Sequence, residues 1–99
     1  MAEHAGQWLF EEGMTYFYGS NFKKTDKKRG QLMIEASASS GFPMAVAYCH
    51  YMNWNGMEKD IKKAFDMFVK IEQETNGYHW AQHLLGICCR NGYGTDQDY

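Results

Sequence analysis

Asn55-Gly56-Met57-Glu58-Lys59-Asp60 returns 36 residues later (91 − 55) as Asn91-Gly92-Tyr93-Gly94-Thr95-Asp96. Each hexapeptide joins a turn-forming Asn-Gly to an Asp suited to cap a helix N-terminus. The offset holds upstream without a gap, Gly41 mapping to Gly77 and Ala45 to Ala81. Self-similarity at a period of this length marks an array of one stacked supersecondary unit.

The bulk composition agrees with a helical array and narrows its function. Ninety-nine residues make one small domain or a slice of a larger one. With 44% hydrophobic and 22% charged residues, the chain can bury a core. Aromatics reach 16%, and the single Pro43 suits uninterrupted helices. A net charge of −2 argues against a general nucleic-acid binder. No apolar run approaches a membrane span, so no membrane insertion is expected. Met1 to Gln7 lacks a basic segment followed by an apolar core, hence no secretory signal is expected. Three cysteines without framework spacing suit a reducing interior, and the expected location is cytoplasmic.

Taken in order, the first helix is expected from about Glu3 to Tyr18. Leu9, Gly13 and Tyr16 fall on one face, expected to be the core face, with Phe10, Met14 and Phe17 on a second. Gly13 costs about 1 kcal/mol there relative to Ala, which the close approach of a neighbouring helix explains. Asp26 caps a second helix reaching Ser40, with Leu32, Met33, Ile34, Ala36 and Ala38 as its apolar residues. Gly41 supplies a left-handed stop and Pro43 starts the third helix, which runs to about Asn53. Ala45, Tyr48, Cys49 and Met52 form its stripe. Asp60 opens the fourth helix, where Ile61, Ala64, Phe65 and Phe68 form the cleanest stripe, widened by Met67 and Ile71. Asn76-Gly77 ends it. Ala81, Leu84, Leu85 and Cys88 share a face of the fifth, and Asp96 is expected to cap a sixth.

These residues resemble the Sel-one-like repeats, relatives of the tetratricopeptide repeats. Ala81, Leu85, Gly86, Gly92, Gly94 and Asp96 match the first half of the family pattern. Ala45, Gly56, Asp60, Lys63, Ala64, Phe65, Phe68 and Gly77 match a middle copy, and Gly13, Tyr16, Gly19, Asp26, Ala36 and Gly41 a weaker first one. Three departures stand out. His50 takes the place held by Gly13 and Gly86, which should open that helix pair. Glu12 and Cys49 replace a leucine. The corner after Gly19 counts three residues more than the later ones (26 − 19, against 60 − 56). The resemblance implies an all-α fold, a right-handed α/α solenoid of antiparallel helix pairs: about two and a half repeats, with five helices and the start of a sixth. Repeat one would span 3–41, repeat two 42–77 and a partial third 78–99, as part of a longer array. It also implies protein binding and no chemistry, so the chain is expected to be a non-catalytic adaptor with no cofactor.

In such an array the first helices of successive pairs line the concave side. The residues left over there are Phe10, Met14 and Phe17, then Ala47, Tyr51 and Trp54, then Trp80, His83, Ile87 and Arg90. Tyr, Trp and Arg are hot-spot residues, and a groove lined by them takes an extended peptide or one helix face. The set expected to touch a partner is Phe17, Tyr51, Trp54, Trp80, His83, Ile87 and Arg90. The alternative is that the rings fill the inter-helix core. Lys24, Lys27 and Lys28, with Lys62 and Lys63 one unit later, flank helix N-termini. They form a candidate edge for an acidic segment or phosphate, or else a solvated face.

Two constellations suggest metal chemistry without supporting it. His79 and His83 stand one turn apart, but Trp80 and Ala81 occupy the position where a catalytic Glu is needed. Cys88 and Cys89 are adjacent and diverge on a helix. No metal site is expected. A second function class is a structural or regulatory segment docking within a larger protein, or self-associating through an open end where Leu84 and Leu85 lack a packing helix.

Overall fold

The structure, a computed structural model, describes residues 2–19 and 24–91. Among these residues five helices follow one another: α1 (Ala2–Tyr18), α2 (Lys27–Ser39), α3 (Pro43–Met52), α4 (Ile61–Thr75) and α5 (His79–Asn91). No strand occurs among the described residues. The sixth helix expected from Asp96 lies outside them.

Local chemistry sets the helix ends. Asp26 and Asp60 each accept, through Oδ1, the amide three residues on, from Arg29 at 3.1 Å and Lys63 at 2.9 Å. These bonds satisfy first-turn donors that have no partner inside the helix. Asp60→Ala should therefore cost about 1 kcal/mol, read as a lower urea midpoint at unchanged m-value. At the other ends, left-handed Gly41 (φ 92°) stops α2, and left-handed Asn76 (φ 58°) followed by Gly77 (φ 100°) stops α4.

The α1–α2 and α3–α4 corners match at their described ends. Gly19 (φ 82°) and Asn53 (φ 63°) are both left-handed, and each stands seven residues before its capping aspartate (26 − 19 and 60 − 53). The Asp26 amide donates to the Tyr16 carbonyl at 2.7 Å, and the Asp60 amide donates to the His50 carbonyl at 3.0 Å. The corners are thus of equal length, which corrects the expected three-residue excess. Asn53, and not Gly56, is the counterpart of Gly19, because Asn tolerates the left-handed region nearly as Gly does. In this register His50 stands in the place of Tyr16, and Ala47 and Ala64 stand in those of Gly13 and Gly30. His50 turns toward its own corner. Its Nδ1–H donates to the Glu58 carbonyl at 2.9 Å and pins its own corner. Asn55, left-handed at φ 58°, ties that corner to α2: its amide donates to Glu35 Oε2 at 2.8 Å, and its side chain donates to Ser39 Oγ at 3.2 Å.

Sequential helices pack on one another, α1 on α2 most extensively. Small residues explain that crossing. A Cβ on Gly30 would lie 2.6 Å from the Gly13 carbonyl oxygen and 2.7 Å from the Phe17 nitrogen. Ser37, fully buried, donates its hydroxyl to the Gly6 carbonyl at 2.5 Å. The close approach expected of Gly13 is present. The face assignment of α1 changes, however. Phe10 and Met14 are fully buried, whereas Leu9 and Tyr16 are half-buried. The glycine side of α1 meets α2, and the side carrying Phe10 and Met14 meets the rest of the core. Phe10 lies 5.7 Å from the Phe42 ring, 6.4 Å from Tyr48 and 6.4 Å from Trp80. The core then runs through Ile34 and Ala38, Ala45, Tyr48 and Cys49, Ala64 and Phe68, and ends on Ala81, Leu84 and Cys88. Leu84, expected to be bare for want of a packing helix, is buried.

Tyr78 closes the first helix against the last. Its hydroxyl donates to Glu11 Oε2 at 2.6 Å across 67 residues of chain. The Cα radius of gyration is 13.1 Å, the value for a compact domain of about 100 residues.

Candidate functional site

The helices α1, α3 and α5 bring their aromatic residues into one connected cluster. Phe17 at the end of α1 meets Trp54, just beyond α3, edge to face with centroids 5.2 Å apart. Trp54 meets Tyr48 at 5.5 Å, and Tyr48 stacks on Tyr51 at 5.9 Å. On the other side of Phe17, Tyr18 lies 6.5 Å from Trp80, nearly parallel to it, and 6.3 Å from His83. The hydroxyls of Tyr18 and Tyr48 lie 2.7 Å apart and share a hydrogen bond. Offset and edge-to-face pairs of this kind fix ring orientations beyond what area burial does.

Of the residues expected to line a groove, Phe17, Tyr51, Trp54, Trp80 and Ile87 are half-buried, while His83 and Arg90 are exposed. The structure brings Phe17, Tyr51, Trp54, Trp80 and His83 together through shared ring neighbours. Ile87 packs against the core further along α5. Phe10, Met14 and Ala47, also expected among the groove residues, are fully buried and belong to the core. The sequence reading passed over Tyr18, which is 45% exposed and bridges Phe17 to Trp80 and His83. Its only signal was adjacency to Phe17, since two neighbouring aromatics at a helix end cannot both share one stripe.

Lys24, Lys27, Lys28, Lys62 and Lys63 are all exposed. Lys27 Nζ sits 4.4 Å above the Phe17 ring, so the basic edge joins the aromatic cluster at that point. Lys62 pairs with Asp66 at 3.4 Å, a one-turn surface contact worth about 0.3–0.5 kcal/mol. At both basic corners a first-turn amide is already taken by the capping aspartate, which leaves less of the helix N-terminus for an outside anion.

The two buried thiols are kept neutral. Burial pushes the Cys49 thiol up to about 12, helped by the Glu35 carboxylate. Burial and neighbouring Cys89 push Cys88 up to about 11. Tyr48 is raised further, by burial first and then by its bond to Tyr18, and Tyr78 by burial and then by the Glu11 carboxylate. At neutral pH Cys49 and Cys88 stay thiols, and the thiolate is the reactive form. The His79 and His83 rings lie 6.5 Å apart, nearly parallel, and both are exposed. Among the described residues no three His, Cys, Asp or Glu side chains form a group able to hold a metal ion. Among them, too, no helix is long and apolar enough to cross a membrane.

Set against protein-family models, curated proteins and solved structures, the chain matches none.

Proposed function

We propose that the chain is a non-catalytic interaction scaffold that binds a protein segment along the aromatic cluster of α1, α3 and α5. In this reading the helix pairs are solenoid repeats of the Sel-one-like kind, and α1, α3 and α5 are the first helices that line the concave side. Two corners of equal length, with the same left-handed stop and the same amide-to-carbonyl bond, support the repeat. The observation that carries the binding reading is the cluster itself. Three separate helices present half-exposed rings at one place, with Arg90 and His83 exposed further along α5. Rigid aromatic surface of this kind binds with little loss of side-chain entropy. Lys27 at the Phe17 end favours a partner with an acidic residue beside its apolar anchor.

Selection of a displayed peptide library against the immobilised protein tests this. Enriched peptides are expected to carry an apolar or aromatic anchor near an acidic residue. They should bind the Trp54→Ala, Arg90→Ala double variant at least about tenfold more weakly, equivalent to 1.4 kcal/mol. Far-UV circular dichroism of the variant controls for folding. Peptides that bind wild type and variant equally would remove the groove from the proposal.

A further inference from the structure

Asn55 and Gly56 are the central pair of a tight turn, closed by the Met57 amide, which donates to the Trp54 carbonyl at 3.0 Å. Both are left-handed, at φ 58° and φ 70°, as a type I′ turn requires. Both are exposed, and among the described residues the Gly56 amide donates to nothing. Nor does any atom lie within 4 Å of the place a Gly56 side chain would take. Asn76-Gly77 is the same dipeptide in a different setting. It ends α4, and there the Gly77 amide donates to the Glu72 carbonyl at 3.0 Å. The third Asn-Gly, at 91–92, extends past the described residues.

An Asn followed by Gly holds an electrophile and a nucleophile one ring apart. The lone pair of the Gly56 nitrogen closes on Asn55 Cγ, with no Cβ of residue 56 to hinder the approach. A C–N bond forms and the Cγ–Nδ2 bond breaks. The amide proton passes through solvent, and ammonia leaves. Water then opens the five-membered imide. Attack at Cγ gives aspartate, and attack at the main-chain carbonyl gives isoaspartate, with the chain rerouted through the side chain. One water enters, one ammonia departs, and nothing is oxidised or reduced. Closure requires a free nitrogen and a backbone able to rotate into line. At Asn55 one turn must open and the side chain must leave Ser39 Oγ, a long bond at 3.2 Å. At Asn76 the Gly77 amide must be pulled off Glu72 and the end of α4 unwound, a larger local opening.

We propose that Asn55 is a self-modification site, converted by ring closure onto Gly56, and that the product loosens the α3–α4 corner from α2. Asn55 makes both bonds that tie this corner down, its amide to Glu35 Oε2 at 2.8 Å and its Nδ2 to Ser39 Oγ. Either product sets a second carboxylate beside Glu35, where like charges repel. Isoaspartate also lengthens the main chain by one methylene, so the residue 55 amide no longer meets Glu35 in register. The chemistry needs no partner but water, so its outcome is independent of peptide binding.

Peptide mapping by mass spectrometry of the whole chain, aged at pH 7.4 and 37 °C, tests it. In the folded chain Asn55 is expected to convert at least about tenfold faster than Asn76. Unfolded in guanidinium chloride, the two sites should convert alike, because the reacting dipeptide is the same. Aspartate and isoaspartate should both appear at position 55. Anion exchange separates chains by the added charge, and the fraction modified at 55 alone should have a lower urea midpoint than fresh protein. Four results would each overturn the proposal. They are an Asn55 that stays intact while the unfolded chain converts, an Asn76 that converts as fast in the folded chain, aspartate as the sole product, and a modified fraction as stable as fresh protein.

Discussion

Gly30→Ala is expected to destabilise the fold by about 2–3 kcal/mol, which lowers the melting temperature of a domain this size by roughly 10 °C or more. The same change in an open helix interior does the reverse, because Ala has the higher helix propensity by about 1 kcal/mol. Position decides the sign. At Gly30 the new methyl meets the Gly13 carbonyl oxygen at 2.6 Å and the Phe17 nitrogen at 2.7 Å. Both are backbone atoms, which move only if α1 and α2 separate, and separation loosens Ile34 and the Ser37–Gly6 bond. At Gly86, in α5, nothing among the described residues comes within 4 Å of the added methyl. Gly86→Ala should therefore be neutral or stabilising, by up to about 1 kcal/mol. Urea titration of the two variants beside wild type reads both signs in one experiment. Equal stability of Gly30→Ala and wild type would show that the two helices do not touch there.

Raising the pH above 9 should destabilise the fold progressively. Four groups hold protons in the folded state that the unfolded chain releases: Cys49 and Cys88, ordinarily at 9.0, and Tyr48 and Tyr78, ordinarily at 10.0. Every one of these shifts is upward. Their contribution to stability is fully present below the ordinary values, and it is lost as pH rises toward the folded ones, about 11 for Cys88 and about 12 for Cys49. Each retained proton lowers stability by about 1.4 kcal/mol per pH unit in that window. Tyr48, fully buried, should show this slope undiminished. Half-buried Tyr78 should show it over a narrower span of pH, because solvent screens it and reduces its shift. Urea midpoints at pH 7, 9 and 10.5 should fall progressively, and Tyr48→Phe should flatten the fall by one proton's share. Midpoints unchanged over that range would mean that these side chains are not buried as described.

The helix boundaries were legible because they depend on neighbours a few residues away. An Asp that can reach the amide three residues on, and a Gly that takes a left-handed φ, act within one turn of chain. Asp26, Asp60, Gly41 and Gly77 therefore read directly as starts and stops. The stripes of α4 and α5 were legible as well, since each of those helices has one dominant apolar face, whereas α3 also buries Met44 and Ala47 outside its expected stripe. In α1 two apolar faces compete, Leu9 with Tyr16 and Phe10 with Met14, and periodicity carries no preference between them. The rings that wait in α3 and α5 settle the choice, and those lie 38 and 70 residues from Phe10 (48 − 10 and 80 − 10). The corner register was misread for a related reason. Glycine was matched to glycine, while the backbone conformation is shared between Gly19 and Asn53.

From its own letters the chain determined that it is helical and where its helices begin and end, because caps, stops and spacing are local properties. Tertiary packing decided the rest. It set which side of α1 is core, brought Tyr18 and Trp80 side by side, pressed Gly13 onto Gly30 and left Trp8 facing outward. Each of these depends on which distant segment arrives to cover a face.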